Sequence, residues 1–235
     1  MAHSLQTRFG AAKSEATGCR ARHRTSAART SVQALTLRFP KAASAASPSL
    51  NGPYRRGVIE TERLQLRSWQ PADEAPFAAL NADAEVTRFL GGPMSRDQSD
   101  ELLARIRSHW QQHGFGLYAV EVKDSGAFIG FIGLAIPSFL PDVLPAVEVG
   151  WRLARGHWGK GYATEGARAS VRCGFDELGL RQIISIIDPG NAASIRVAER
   201  LEMTRGRDRI HPLSRARLSI YLKNAEDAGS SRAAP

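Results

Sequence analysis

The stretch "GHWGKGYATEG", residues 156–166, sets glycines and a lysine between a strand-like run, "AVEVGWRL" (146–153), and a helix-like run that continues to residue 178. A glycine-rich turn in that place restricts the architecture, because the chain must leave a sheet, turn sharply and lay a helix back over it. It also restricts the chemistry. Glycine lets backbone N–H groups approach a ligand closely, and the first turn of a helix offers N–H groups with no intrahelical partner, so a phosphate is the first occupant to consider. Two familiar phosphate loops do not fit. GxxxxGK[ST] fails because Gly161 follows Lys160 and Ala154 stands at the first glycine, and GxGxxG fails because Thr164 replaces the third.

The flanking periodicities predict a single folded part over residues 57–222. Leu64 and Leu66 alternate with polar neighbours as in a strand. Pro71 followed by acidic residues marks a helix start. Leu102, Ile106 and Trp110 fall on one face of a second helix that Ser95 caps and Gly114 stops. Runs 116–122 and 128–136 flank an Asp-Ser-Gly turn and read as a hairpin. After the glycine turn, Ala163, Ala167, Val171, Phe175 and Leu178 form a helix stripe. A buried strand (181–188), a helix (191–203) capped by Asn191 and a last strand (216–222) follow. This order predicts a mixed α/β domain, mostly antiparallel, with a parallel strand pair around the 161–178 helix. The polar end, 223–235, is expected to be disordered, and 204–217 has no readable period.

The net charge of +9 suggests a nucleic-acid binder until it is located. Residues 1–56 carry the whole excess: their lysines and arginines face Glu15 alone, and the remainder is balanced. This Ala-, Ser- and Arg-rich segment reads as a disordered tail, with a mis-called gene start, an organelle transit peptide and a nucleic-acid-binding arm as open alternatives. It is expected to be dispensable for chemistry. Two distant cysteines, Cys19 and Cys173, give no disulfide framework or metal motif, and no apolar run reaches the ~18 residues of a membrane span. A cytoplasmic location is expected, or an organelle if the tail is a transit peptide.

The run from Trp151 through "ARGHWGKGYATEGA", followed by "NAASIRVAERLEM", resembles the acetyl-CoA site of the GNAT N-acetyltransferases, and within them the branch of ribosomal-protein N-terminal acetyltransferases. The resemblance spans roughly residues 59–208. It implies a central twisted sheet with helices on both faces, in which the strands around the glycine turn splay apart and the pantetheine lies between them. By resemblance the donor would be held by Gly159, Lys160, Gly161, Tyr162, Ala163 and Thr164 at its pyrophosphate. Backbone groups of Trp151 and Leu153, together with Asn191, would hold its pantetheine arm. Trp158 replaces the family's usual Arg or Gln, and Glu202-Met203 stand where the family has Gly-Phe or Gly-Met. Acetyl-CoA is then the co-substrate, with no metal. The acceptor is an amine: a protein N-terminus, a lysine, a small amine or an aminoglycoside. Membrane and nucleic-acid partners are not expected, and the chain would be a monomer or homodimer.

Acetyl transfer to an amine requires removal of a proton, stabilisation of an oxyanion and protonation of the leaving thiolate. Glu148, a carboxylate in mid-strand, is the candidate base, acting directly or through a water; pairing with Arg152 is its structural alternative. Ser194 is the candidate proton donor to the thiolate, since the family's tyrosine position falls on Ala198. Capping is its alternative, as it is for Asn191, and Tyr221 is a second candidate donor. His109 and His113, at i and i+4, have no third metal ligand in view. A non-catalytic acyl-CoA-binding module would keep the glycine turn and lose the chemistry.

Overall fold

The computed structural model describes residues 57–230, so the expectations for residues 1–56 and for the last five residues lie outside it. The chain opens with β1 (Val58–Glu60) and β2 (Leu64–Arg67), then a 3-10 turn, α1 (Glu74–Ala82), α2 (Ala84–Thr87) and α3 (Arg96–His113). Next come β3 (Leu117–Val122), β4 (Ala127–Ala135) and β5 (Val147–Leu153). The glycine turn leads into α4 (Tyr162–Asp176), followed by β6 (Gln182–Ile187), α5 (Ala192–Arg200), β7 (Thr204–Arg205), β8 (Arg209–Ile210), β9 (Arg217–Asn224) and α6 (Ala225–Ser230).

The main sheet has the order β1-β2-β3-β4-β5-β6-β9-β7, with β8 paired to β9. Among the described strands only β5 and β6 run parallel. They flank α4, as a β-helix-β crossover requires. The mixed α/β architecture expected from the sequence is therefore present.

The elements follow from local chemistry. Ser95 accepts from Gln98 N while the Gln98 side chain returns to Ser95 N, a capping box worth about 1 kcal/mol. Gly114 ends α3 at φ +73°. A buried pair, Arg67–Asp73 at 2.8 and 2.9 Å, ties the 3-10 turn at Pro71–Asp73 to β2. One core lies under α4 and α5 and includes Leu64, Val149, Ala167, Ile183 and Ala198. On the other face, α1 and α3 cover Phe77, Leu103 and Phe131, and the 137–140 loop covers Ile184 and Ile186. Gly166 lets α4 approach the sheet, since a Cβ there would lie 2.6 Å from Ile132 Cδ1.

Several boundaries differ from the sequence reading. The 191–203 helix stops at Arg200. Glu202 takes φ +58°, a conformation usually left to glycine, and Met203 N bonds back to Ala198 O. The Glu202 carboxylate is held by Lys223 at 2.8 Å. Lys223 is itself buried, and β9 runs through it to Asn224, two residues past the expected end. The unread 204–217 segment contributes two short strands. Helix α2 is too short to show a period; Asp83 caps it by accepting from Glu85 N and Val86 N.

Candidate active site

β5 and β6 pair at only two rungs, Val147–Ile183 and Glu148–Ile184. Beyond Glu148 the two strands share no further rung, although β5 continues to Leu153 and β6 to Ile187. A cleft occupies this divergence. Its walls are Gly150 and Trp151 of β5, residues 185–188 at the end of β6, Asn191 and Ser194 at the start of α5, Val86 of α2 and Leu90 shortly after it.

Glu148 stands at the last rung, between Ala135 of β4 and Ile184 of β6, and is 1% exposed. Its strand neighbours Val147 and Val149 enter the α4-side core, so alternation puts Glu148 on the opposite face, toward α1–α3. The pairing with Arg152 considered above does not describe Arg152. That guanidinium donates to Asn81 Oδ1 and lies 5.2 Å over the Phe131 ring, and burial pushes its pKa down to about 10. Asn81 continues the chain of contacts to Ser99 Oγ at 2.8 Å.

Across the cleft, Asn191 accepts from Ser194 N at 3.1 Å, so it caps α5 and lines the gap at once. No described residue is hydrogen-bonded to the Ser194 hydroxyl. Ala198 is fully buried in the core and offers no hydroxyl. Tyr221 is buried opposite Ser185 and is not part of the cleft wall.

The glycine turn sits at the open end of β5. Gly159 and Gly161 take φ of +74° and +83°, and Gly161 is the N-cap of α4 without a side chain to satisfy the helix's first N–H groups. Thr164 in that first turn has a buried hydroxyl with no hydrogen-bond partner among the described residues. Both features suit a bound anion. Tyr162 and Ala163 are half-buried against the core, and Lys160 is exposed. Trp158 uses its indole N–H to hold the Leu153 carbonyl at 2.7 Å, which fastens the turn to β5.

Some residues of this region were missed in the sequence. Thr61 and Arg63, from the β1–β2 connection, both reach Glu165 in α4. The available signal was Glu165 itself, an acid in the turn that should receive an anion. Asp188 and Gly150 in the cleft wall carried no pattern of their own. His109, in contrast, is structural. Ile136 N donates to its Nε2 at 3.1 Å, so Nδ1 carries the proton toward Phe115 O at 2.9 Å, and burial, then His113, lowers its pKa to about 4. Among the described residues no group of three or more potential ligands could hold a metal ion, and no helix is long and apolar enough to cross a membrane.

The chain is similar to known acetyltransferases. A model of the acetyltransferase (GNAT) domain matches residues 63–204. The uncharacterized protein YkkB of Bacillus subtilis (strain 168) is 36% identical over 146 residues, covering 62% of this chain and 84% of that protein. The FsC-acetyl coenzyme A-N(2)-transacetylase of Aspergillus fumigatus is 33% identical over 156 residues, 62% of each chain. The crystal structure of an acetyltransferase from Agrobacterium tumefaciens str. C58 superposes with a TM-score of 0.63 at 28% identity, covering 71% of this chain and 94% of that one.

Proposed function

The chain belongs to the GNAT acetyltransferase family and is an acetyl-CoA-dependent acetyltransferase, and on that premise we propose that it acetylates a primary amine, a protein or peptide N-terminal α-amine, by direct attack on the thioester. The observation that carries the reading is the position of Glu148. It lies buried at the last shared rung of β5 and β6, where the cleft begins, with Ser194 on the facing wall.

In this scheme the pyrophosphate rests on the N–H groups at the mouth of α4 and the pantetheine arm runs between β5 and β6 past Asn191. The amine nitrogen bonds to the thioester carbon. Its proton passes to Glu148, directly or through a water. Backbone N–H groups beyond the last rung steady the oxyanion, and the C–S bond then breaks with Ser194 donating a hydrogen bond to the departing sulfur. No covalent enzyme intermediate is formed. Residues 1–56 would not be needed for any of this.

Preference for an α-amine rests on the pairing of Ser194 with Ala198, the pattern of the ribosomal-protein branch. A small-molecule amine is the second reading, since nothing in the cleft wall distinguishes it from a peptide amine. Thiol release measured across N-terminal peptides, lysine peptides, aminoglycosides and small amines separates them. The α-amine reading expects the highest kcat/KM on a peptide with a free N-terminus, and loss of that activity when the N-terminus is blocked. A small amine turned over well beside an inert peptide would reverse the assignment.

The donor site has its own check. At φ +83° a β-branched residue is strained by about 1–2 kcal/mol. Gly161→Val is therefore expected to weaken coenzyme A binding about tenfold in calorimetry while the far-ultraviolet dichroism stays native. Unchanged affinity in the folded variant would remove the glycine turn from the site.

A further inference from the structure

A carboxylate in the first turn of α4 poses a problem for an anion site. Tyr162 is the first residue of the helix and Glu165 the fourth, so its charge stands beside the N–H groups that would receive the pyrophosphate. A lone carboxylate there would repel the incoming phosphate.

We propose that Arg63 is a positioning residue for the donor's pyrophosphate: it cancels the charge of Glu165 and fixes the Lys160 peptide of the glycine turn. The proposal rests on reading that turn as the pyrophosphate site. Glu165 Oε1 accepts from Thr61 Oγ1 at 2.6 Å and from Arg63 N at 2.8 Å. Its Oε2 meets Arg63 Nε at 2.7 Å and Nη2 at 2.6 Å. Burial on its own would raise the Glu165 pKa, but the hydrogen bonds from Thr61 and Arg63 outweigh it and hold the carboxyl below its usual range. Glu165 is thus charged, and its charge is spoken for.

The remaining arm of the same guanidinium does a second task. Arg63 Nη1 donates to the Lys160 carbonyl at 2.9 Å. In a planar trans peptide the C=O and the following N–H point in opposite directions, so holding Lys160 O on one side directs Gly161 N–H to the other. The guanidinium also lies 4.8 Å over the Tyr162 ring, and its Nη2 would be 3.3 Å from a Cβ placed on Gly161. One side chain from the β1–β2 connection therefore touches Lys160, Tyr162 and Glu165 and lies against Gly161, across nearly a hundred residues of sequence. Thr61 Oγ1 and Arg63 N also bond Glu165, and neither contact uses the guanidinium, so both are expected to persist in an Arg63 variant.

Calorimetric titration with coenzyme A tests this on Arg63→Gln, Arg63→Lys, Glu165→Gln and the Arg63→Gln/Glu165→Gln double variant. Arg63→Gln should raise Kd about tenfold, with a smaller loss at high salt, and should leave kcat at saturating donor within about twofold. Arg63→Lys should fall between it and the parent, and gives the same comparison at smaller amplitude should Arg63→Gln fail to fold. The double variant should regain part of the lost affinity, because the exposed carboxylate is gone. A merely structural clamp would make Glu165→Gln as damaging as Arg63→Gln and leave the double variant no better. Parent-like affinity in Arg63→Gln, or no recovery in the double variant, would overturn the proposal. Gly161→Val in the same titrations separates the two readings: if it also binds normally, the pyrophosphate site itself is misplaced, and if it alone is impaired, only the role of Arg63 is lost.

Discussion

Glu148→Gln is expected to lower turnover at neutral pH by about 10²–10⁴, the range for loss of a general base. The substitution keeps the size and the strand rung between Ala135 and Ile184, so the sheet should be undisturbed. Glu148 lies outside the glycine turn, and acetyl-CoA affinity should change little. Activity should recover in part as the pH rises, because the acceptor amine then loses its proton to solvent. Parallel pH–rate profiles of the two proteins, measured at saturating donor, check both points. Near-normal turnover at neutral pH would return Glu148 to a packing role.

The second large effect is expected at Ser194. The thiolate departs near the start of α5, where the helix dipole already favours negative charge. A hydroxyl donor to a charged sulfur contributes about 1.5–3 kcal/mol, so Ser194→Ala should reduce turnover roughly 10–150-fold. The neutral thioester needs that donor far less, and KM for acetyl-CoA should stay near the parent value. The capping bond of α5 survives, since it joins Asn191 Oδ1 to the Ser194 backbone. Equal losses in affinity and turnover would make Ser194 a binding residue. No change in either would move the search to Tyr221→Phe, although Tyr221 is buried and is not part of the cleft wall.

What could be read from the sequence was what the chain settles locally. The Ser95 cap, the Gly114 stop, the hairpin and the strand-turn-helix around Gly161 each depend on residues within a few positions, and each is found. Glu202 defeated local reasoning in a specific way. A glutamate carries no local signal for a left-handed conformation; only the family's glycine at that position pointed to one, and here the residue is tied to Lys223 from a distant strand. The cleft was equally hidden. It exists because β5 and β6 share two rungs and then none, a property of register between strands separated by α4. Arg63 met Glu165 only in the folded chain, which is why an acid in the phosphate turn looked unremarkable in sequence. The charge excess of residues 1–56, by contrast, is plain from composition, and the balanced remainder argues against a nucleic-acid-binding core.

A cleft that couples acetyl-CoA cleavage to amide formation gives both products in one reaction, and both can be followed together. The protein is incubated with acetyl-CoA and a peptide bearing a free N-terminus; released thiol is titrated and acetylated peptide is quantified by mass spectrometry. Equal amounts of thiol and N-acetyl product are expected, both falling together by about 10²–10⁴ in Glu148→Gln at neutral pH. Thiol release without amide, or tight donor binding with neither product across the acceptor panel, would contradict this coupling and leave an acyl-CoA-binding module in its place.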